Sequence, residues 1–352
     1  MTQAGGKVVI IALDAMGGQR APDMVIKGAN VARERHPELR FLLFGDEERL
    51  RPVLDRFSKL GAVSEIRHCE TAIGDDEKPS VALRQGRRSS MRLAIEAVRD
   101  GDANGIVSAG NTGALMAMAR VVLKTLEGIH RPAMASTFPT MHGQTVMLDL
   151  GANVDATAEN LVEFAVMGEV FARTVLGVIK PTVGLLNVGS EEFKGHKTVR
   201  DAAKLLQEVD LPITFHGFIE GDDITAGTVD VVATDGFTGN VALKTAEGTA
   251  RLYSRFLRAA FKETLLTRIG YMLARRALSG LRDRLDPRRY NGAMFLGLNG
   301  VVVKSHGATD MLGFANAIGF AYDMVFQGFN DTVIAELNSW HEQRTETRAA
   351  IS

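Results

Sequence analysis

The nine residues Ser108-Ala109-Gly110-Asn111-Thr112-Gly113-Ala114-Leu115-Met116 follow a short apolar run, Gly105-Ile106-Val107. An apolar run that ends in small polar residues and glycines, and then enters a helix-forming stretch, reads as a strand feeding a helix through a tight loop. Similar runs recur at Val8–Leu13, Arg40–Phe44, Thr145–Leu150, Thr182–Leu186, Val229–Ala233 and Gly300–Lys304. Between most of them apolar residues are spaced by three and four, as at Leu161, Phe164, Ala165 and Gly168. Strand and helix therefore alternate, which predicts an α/β fold: a mainly parallel sheet between two layers of helices, a three-layer α/β/α sandwich.

Several of these strands end in loops of one character. Asp14-Ala15-Met16-Gly17-Gly18, Ser108 to Gly113, Gly151 to Asp155, Asn187 to Glu191 and Thr234 to Asn240 are all rich in Gly, Asn, Ser, Thr or Asp. Neighbouring loops at the carboxyl edge of a parallel sheet can converge on one crevice lined by helix N-termini. Glycines admit a ligand close to the backbone, and exposed N–H groups with the helix dipole favour an anion. The expected guest is a phosphate, with Lys194, Lys244 or Lys304 as its charge partner. Caps and turns explain some of the same residues; Asp235 before Gly236 reads first as a helix cap.

Other chemistries are excluded or disfavoured. The Gly113 loop lacks G-x-G-x-x-G spacing, and no acidic residue stands about 20 positions further on to hold a ribose. Neither a P-loop motif nor a G-x-S-x-G elbow occurs. The single cysteine, Cys69, excludes an internal disulfide and reads as a small buried hydrophobe. Asp149 and Asp155 flank Gly-Ala-Asn without the carboxylate cluster a cation needs, so no metal and no cofactor are expected. The net charge of -1 over 352 residues argues against nucleic-acid binding by the whole chain, and no apolar run reaches membrane-spanning length. A cytoplasmic protein is expected.

Basic character is concentrated between Arg251 and Arg289, where eleven Lys or Arg residues face three acids. Leu252, Phe256, Leu257, Phe261, Leu265, Ile269 and Leu273 recur at helical spacing, so the segment reads as two basic amphipathic helices broken near Thr267–Gly270. Either the apolar stripe packs on the core or a second copy, or the segment meets an anionic membrane surface or an acidic partner. The residues expected to make such contacts are Arg255, Arg258, Lys262, Leu265, Leu266, Arg268, Arg275 and Arg276. The chain is expected to form one α/β unit over residues 1–340, with a soft internal boundary near Leu126–Arg131, a helical protrusion over 251–289 and a frayed polar tail over 341–352.

The blocks ALDAMGG, EKPSVALR, SSMRLA, SAGNTGALMA, GIHRPAMA, LDLGANVD, GLLNVGSEEFKG, DVVATDGFTGNVALK and GLNGVVVKSHG occur in this order between Ala12 and Gly307, within a likeness that runs from about Val8 to about Met324. Together they resemble the bacterial phosphate acyltransferase family, the acyl-[acyl-carrier-protein]:phosphate transacylases (PlsX). The resemblance implies transfer of a fatty acyl group from acyl carrier protein to inorganic phosphate for phospholipid synthesis. It further implies a fold similar to the phosphotransacetylase and isopropylmalate dehydrogenase groups and a homodimer. A location at the inner face of the membrane follows, beside a downstream membrane glycerol-3-phosphate acyltransferase. The chain departs from the family pattern at Gln19, Asn291 and Ala308, so no catalytic role is assigned to position 19 or to a hydroxyl at 308.

Bound phosphate is already a nucleophile and a thioester is already activated, so positioning and charge neutralisation suffice without an acyl-enzyme. Asp14, Gly17, Gly18, Ser108, Asn111, Thr112 and Gly113 are the expected phosphate-binding set. Lys194, Lys304, Asn187, Asn240 and His306 are the expected catalytic set, with Lys194 equally able to pair with Glu191 or Glu192, and His306 equally able to be structural. Two other readings remain: a short-chain phosphotransacylase that uses acyl-coenzyme A, and a non-catalytic scaffold at the membrane.

Overall fold

A computed structural model describes residues 8–208, 213–284 and 292–351. Among the described residues eleven strands form one sheet: β1 (Val9–Asp14), β2 (Leu39–Gly45), β3 (Ser64–His68), β4 (Gly105–Ser108), β5 (Ala133–Pro139), β6 (Gln144–Leu148), β7 (Thr182–Leu186), β8 (Thr214–Ile219), β9 (Val231–Ala233), β10 (Ala293–Leu296) and β11 (Val301–Lys304). The helices that precede β7 are α1 (Asp23–Arg35), α2 (Glu47–Leu54), α3 (Ser58–Gly61), α4 (Pro79–Gln85), α5 (Ser90–Arg99), α6 (Thr112–Leu123) and α7 (Ala158–Thr174). Those that follow are α8 (Lys197–Glu208), α9 (Gly221–Ala226), α10 (Gly236–Lys262), α11 (Leu265–Arg284), α12 (Met311–Phe326) and α13 (Phe329–Ile351).

The three layers follow from strand alternation. Val9, Ile11 and Leu13 of β1 join one apolar cluster, with α1, α7, α12 and α13, while Ala12 joins another with α5 and α6. Val301 and Val303 of β11 likewise face the first cluster and Val302 the second. Both faces are covered, so the central strands are apolar without a break, as in other doubly covered parallel sheets.

The strand order is β3-β2-β1-β4-β11-β10-β5-β6-β9-β7-β8. Strands β3, β2, β1, β4 and β11 form one parallel block, and β6, β9, β7 and β8 form a second. Three successive antiparallel pairings, β11 with β10, β10 with β5 and β5 with β6, lie between them. An odd number of reversals gives the two blocks opposite senses. The expected crevice at one shared carboxyl edge therefore does not arise from a single parallel sheet. Residues 124–132, between α6 and β5, carry the chain out of the first block.

Helix α10 joins the blocks instead. It starts directly after β9, packs Ala242, Leu243 and Ala246 over Leu150, Leu186 and Val232, and runs about 40 Å. Its end and α11 form the expected helical protrusion, but the break falls at Glu263–Thr264 and not near Thr267–Gly270. The reason is a reciprocal cap: the Thr267 N–H donates to the Thr264 hydroxyl at 3.1 Å and the Thr264 N–H to the Thr267 hydroxyl at 3.0 Å. Arg288 and Arg289 lie outside the described residues, as does Asn291. Helix α13 runs through the stretch expected as a frayed tail.

Candidate functional site

The loops of the first block are built around a buried carboxylate. Asp14, at the end of β1, accepts from the Ser90 and Ser108 hydroxyls, each at 2.6 Å. Burial pushes its carboxyl above the usual range, against the pull of these two hydroxyls and of Lys304. Ser108 in turn accepts from the Gly110 N–H at 3.0 Å. Gly18 has φ +97°, and a Cβ there would stand 2.9 Å from that of Ala109, so only glycine lets the first loop lie on the second. The next neighbour, β11, brings Lys304 to the same edge. Its ammonium is buried and donates to the carbonyls of Ala109 and Ser305, and burial drives it down to about 8, with the charges of Asp14 and Asp75 opposing.

Several residues expected to hold phosphate are committed elsewhere. The Asn111 carboxamide oxygen caps α6 by accepting from the Ala114 N–H at 3.0 Å. Its Nδ2 donates to the carbonyls of Gly74, Asp75 and Glu77 at 3.3, 2.8 and 2.8 Å, so Asn111 is a clamp on that loop. Gly113 packs where a Cβ would meet Pro79 at 2.8 Å, while Thr112 is exposed at the start of α6. Cys69 is buried as expected, and its thiol is pushed up to about 12, which keeps it protonated and unreactive.

In the second block the loop amides also turn inward. Asp149, fully buried after β6, accepts from the N–H groups of Met134, Gly151, Ala152 and Asn153 and from Asn153 Nδ2. Burial still raises its carboxyl. Asp235 caps α10, accepting from the Thr238 N–H at 2.8 Å. Gly239 approaches so closely that a Cβ would lie 1.9 Å from the Asp149 carbonyl oxygen. Asn187 donates to the Lys194 carbonyl at 3.1 Å, and the Lys194 ammonium pairs with Glu191 at 2.7 Å, which raises its pKa.

What remains open to a ligand lies along one face of α10. Asn240, Lys244, Glu247 and Arg251 follow one another at i, i+4, i+7 and i+11, so they share a stripe. Asn240 is exposed against Gly151, within 3.7 Å of where a Cβ would stand there. Lys244 and Arg251 both reach Glu247, at 3.2 and 3.5 Å. The stripe faces the loop after β11: His306 is held below its ordinary value first by desolvation and then by the charge of Lys304, with Lys244 and Arg251 adding and Glu247 opposing. Lys304, Lys244 and Arg251 thus all act on the His306 imidazole, while Asn240 begins the stripe against Gly151 at the end of the second block. Sequence reasoning named Lys244, His306 and Lys304 but missed Arg251 as their neighbour and Ser90 as a partner of Asp14. The i, i+4, i+7, i+11 spacing from Asn240 is the signal that could have found Arg251.

The sequence profile of a family described as "Fatty acid synthesis protein" matches residues 9–332. A phosphate acyltransferase of Rhodospirillum centenum is 65% identical over 327 residues, covering 93% of this chain and 92% of that protein. The chain belongs to the phosphate acyltransferase family. A second phosphate acyltransferase, from Rhodospirillum rubrum, is 61% identical over 329 residues, covering 94% of each. Among solved structures, a phosphotransacetylase from Streptococcus pyogenes superimposes with TM-score 0.62 at 18% identity, covering 91% of this chain and 94% of that one. A branched-chain phosphotransacylase from Enterococcus faecalis does so with TM-score 0.56 at 14% identity, covering 90% and 99%. These two likenesses carry the fold, and they agree with the group expected from the motifs. As a phosphate acyltransferase the protein is an enzyme of acyl transfer in lipid synthesis, and among the described residues no helix is long and apolar enough to cross a membrane.

Proposed function

We propose that the enzyme moves a long-chain acyl group from acyl carrier protein to inorganic phosphate. The observation that carries the reading is the pair of cations on α10, Lys244 and Arg251, whose charges meet that of Lys304 at His306. In this reading phosphate lies beside these cations, and one of its oxygens attacks the thioester carbonyl carbon. The tetrahedral adduct collapses with cleavage of the carbon–sulfur bond, giving acyl phosphate and the carrier thiolate, which needs little proton assistance. The cations offset the charge of the phosphate and of the oxygen that gains charge. An acyl-enzyme is unsupported: Cys69 is buried and protonated, and the Ser90 and Ser108 hydroxyls donate to Asp14 at the floor of the first block. No metal or cofactor enters the proposed step, and the partners it names are acyl carrier protein and a second copy of the chain.

The protrusion supports a further part of the reading. Leu265 and Leu266 are 77% and 81% exposed, beside exposed Arg255, Arg258, Lys262, Arg275 and Arg276. Arg268 donates to the Lys262 carbonyl, which closes the end of α10. Among the described residues the apolar stripe of the hairpin joins none of the core clusters, so a peripheral contact with anionic lipid, or with the acidic face of the carrier, is the occupant proposed for it.

The test is acyl-phosphate formation from palmitoyl-[acyl carrier protein] and inorganic phosphate, trapped with hydroxylamine, beside palmitoyl-coenzyme A as donor. Phosphate-dependent product that favours the carrier supports the proposal, preference for the coenzyme points to the second enzyme reading, and no product from either donor overturns both.

A further inference from the structure

Three carboxylates act on Lys304 or His306, and their oxygens are not equally committed. Asp14 accepts from Ser90 on one oxygen and from Ser108 on the other, and Glu247 is taken by Lys244 and Arg251. Asp75 differs. It is exposed, and among the described residues its carboxylate makes neither a hydrogen bond nor an ion pair. Its backbone is nevertheless fixed. Residues 69–78 connect β3 to α4, at the edge where the five parallel strands of the first block all end. The Ser90 N–H donates to the Thr71 carbonyl at 3.0 Å, Asn111 Nδ2 holds the carbonyls of Gly74, Asp75 and Glu77, and Pro79 packs against Gly113. The loop is thus strapped to the Ser108–Gly113 loop. Lys304 donates to the Ala109 carbonyl, two residues before Asn111, so the ammonium and the Asp75 backbone are tied to points no more than about 7 Å apart along one loop. Asp14 and Asp75 are the two acids whose charges act on Lys304; Asp76, the next residue and likewise exposed, is not among them.

A carboxylate accepts hydrogen bonds and donates none. Beside a cation that binds anions it favours a ligand that brings its own proton and repels one that does not. At neutral pH inorganic phosphate keeps at least one proton, whereas sulfate, of the same shape, keeps none. We infer that Asp75 accepts a hydrogen bond from the protonated oxygen of phosphate bound at Lys304 and so makes the site select phosphate over sulfate. The inference rests on the acyl-transfer reading, in which phosphate is the acceptor, and adds the residue that recognises it. The phosphate's other oxygens carry its charge, so the attacking oxygen is not the one that Asp75 engages.

The experiment compares Asp75→Asn and Asp76→Asn with the unsubstituted enzyme at constant ionic strength. The KM for phosphate and the Ki for sulfate are read from turnover of the carrier-bound donor, and the affinity for each anion from calorimetry on the protein without donor. The expected result is that Asp75→Asn tightens sulfate about tenfold and holds phosphate within about twofold, so that selectivity falls about tenfold, while Asp76→Asn changes neither. An unchanged phosphate-to-sulfate ratio in Asp75→Asn overturns the inference. So does an equal loss in Asp76→Asn, which would make the effect one of the loop's overall charge. Binding of neither anion by the unsubstituted protein, or of sulfate as tightly as phosphate, overturns it as well. Failure of the unsubstituted enzyme to turn over any donor counts against the acyl-transfer reading instead, and the calorimetric ratio still decides Asp75.

Discussion

Lys304 is the residue whose chemistry most constrains the site, because a buried ammonium at the end of a strand is costly unless its charge is used. Burial brings it down to about 8, so it is cationic at neutral pH and loses its charge as pH rises through that value. The KM for phosphate is therefore expected to climb above pH 8, and the climb to vanish in Lys304→Met. Asp14 pulls the lysine upward, so Asp14→Asn moves the same limb to lower pH; steady-state kinetics across pH 6–10 check both shifts. Stability carries the opposite sign. The folded protein binds fewer protons at Lys304 than the unfolded chain between about 8 and the ordinary 10.5, so this group's contribution to stability rises with pH across that window.

Asn111 shows what a motif conceals. Its loop looks built for a ligand, yet the side chain is spent on one helix cap and three carbonyls, the latter on residues 34 to 37 positions away that no local pattern foretells. Asn111→Ala is expected to lose about 2–3 kcal/mol in urea denaturation with little change in the KM for phosphate. An unaltered midpoint with a raised KM would return the residue to the ligand.

At the scale of elements, the runs that read as strands are those covered on both faces, where burial leaves an unbroken apolar stretch. The four that escape notice have physical excuses. Strand β3 lies at the sheet's edge and is largely exposed, β8 at the other edge alternates through His216 and Gly217, β10 (Ala-Met-Phe-Leu) has no β-branched residue, and β5 is broken by Ser136 and Thr137. Two of them, β5 and β10, are the strands that reverse the sheet, so the opposite sense of the two blocks was hidden with them. The basic helices were legible because amphipathic spacing is local, and only the cap pair Thr264–Thr267 moved the break. The hairpin gives its own prediction. Leu265→Glu with Leu266→Glu should weaken binding to anionic vesicles tenfold or more while leaving the melting temperature unchanged, since neither side chain supports the fold. Vesicle sedimentation with added salt checks it: binding that survives both the substitutions and salt would remove the hairpin from the membrane.

For the whole molecule, the consequence of two opposed blocks is that neither holds the site alone. The first contributes Lys304 and His306, and α10, which starts from the end of β9 in the second, contributes Lys244 and Arg251. Three cations held on both sides of one cleft repel each other, and Glu247, Asp14 and Asp75 offset them only in part. An anion placed between them relieves that repulsion and ties the blocks together. Because phosphate binds the folded state alone, it stabilises by mass action, so millimolar phosphate is expected to raise the melting temperature by a few degrees at constant ionic strength. Sulfate offers a similar charge at the same ionic strength and should do less if the site is shaped for the nucleophile. In Lys244→Ala with Arg251→Ala the phosphate-dependent rise should disappear while the melting temperature without phosphate changes little, since only two exposed ion pairs to Glu247 are lost. A doubly substituted protein that keeps the full rise would place the anion in one block only, and α10 would then be a strut and not a wall of the site.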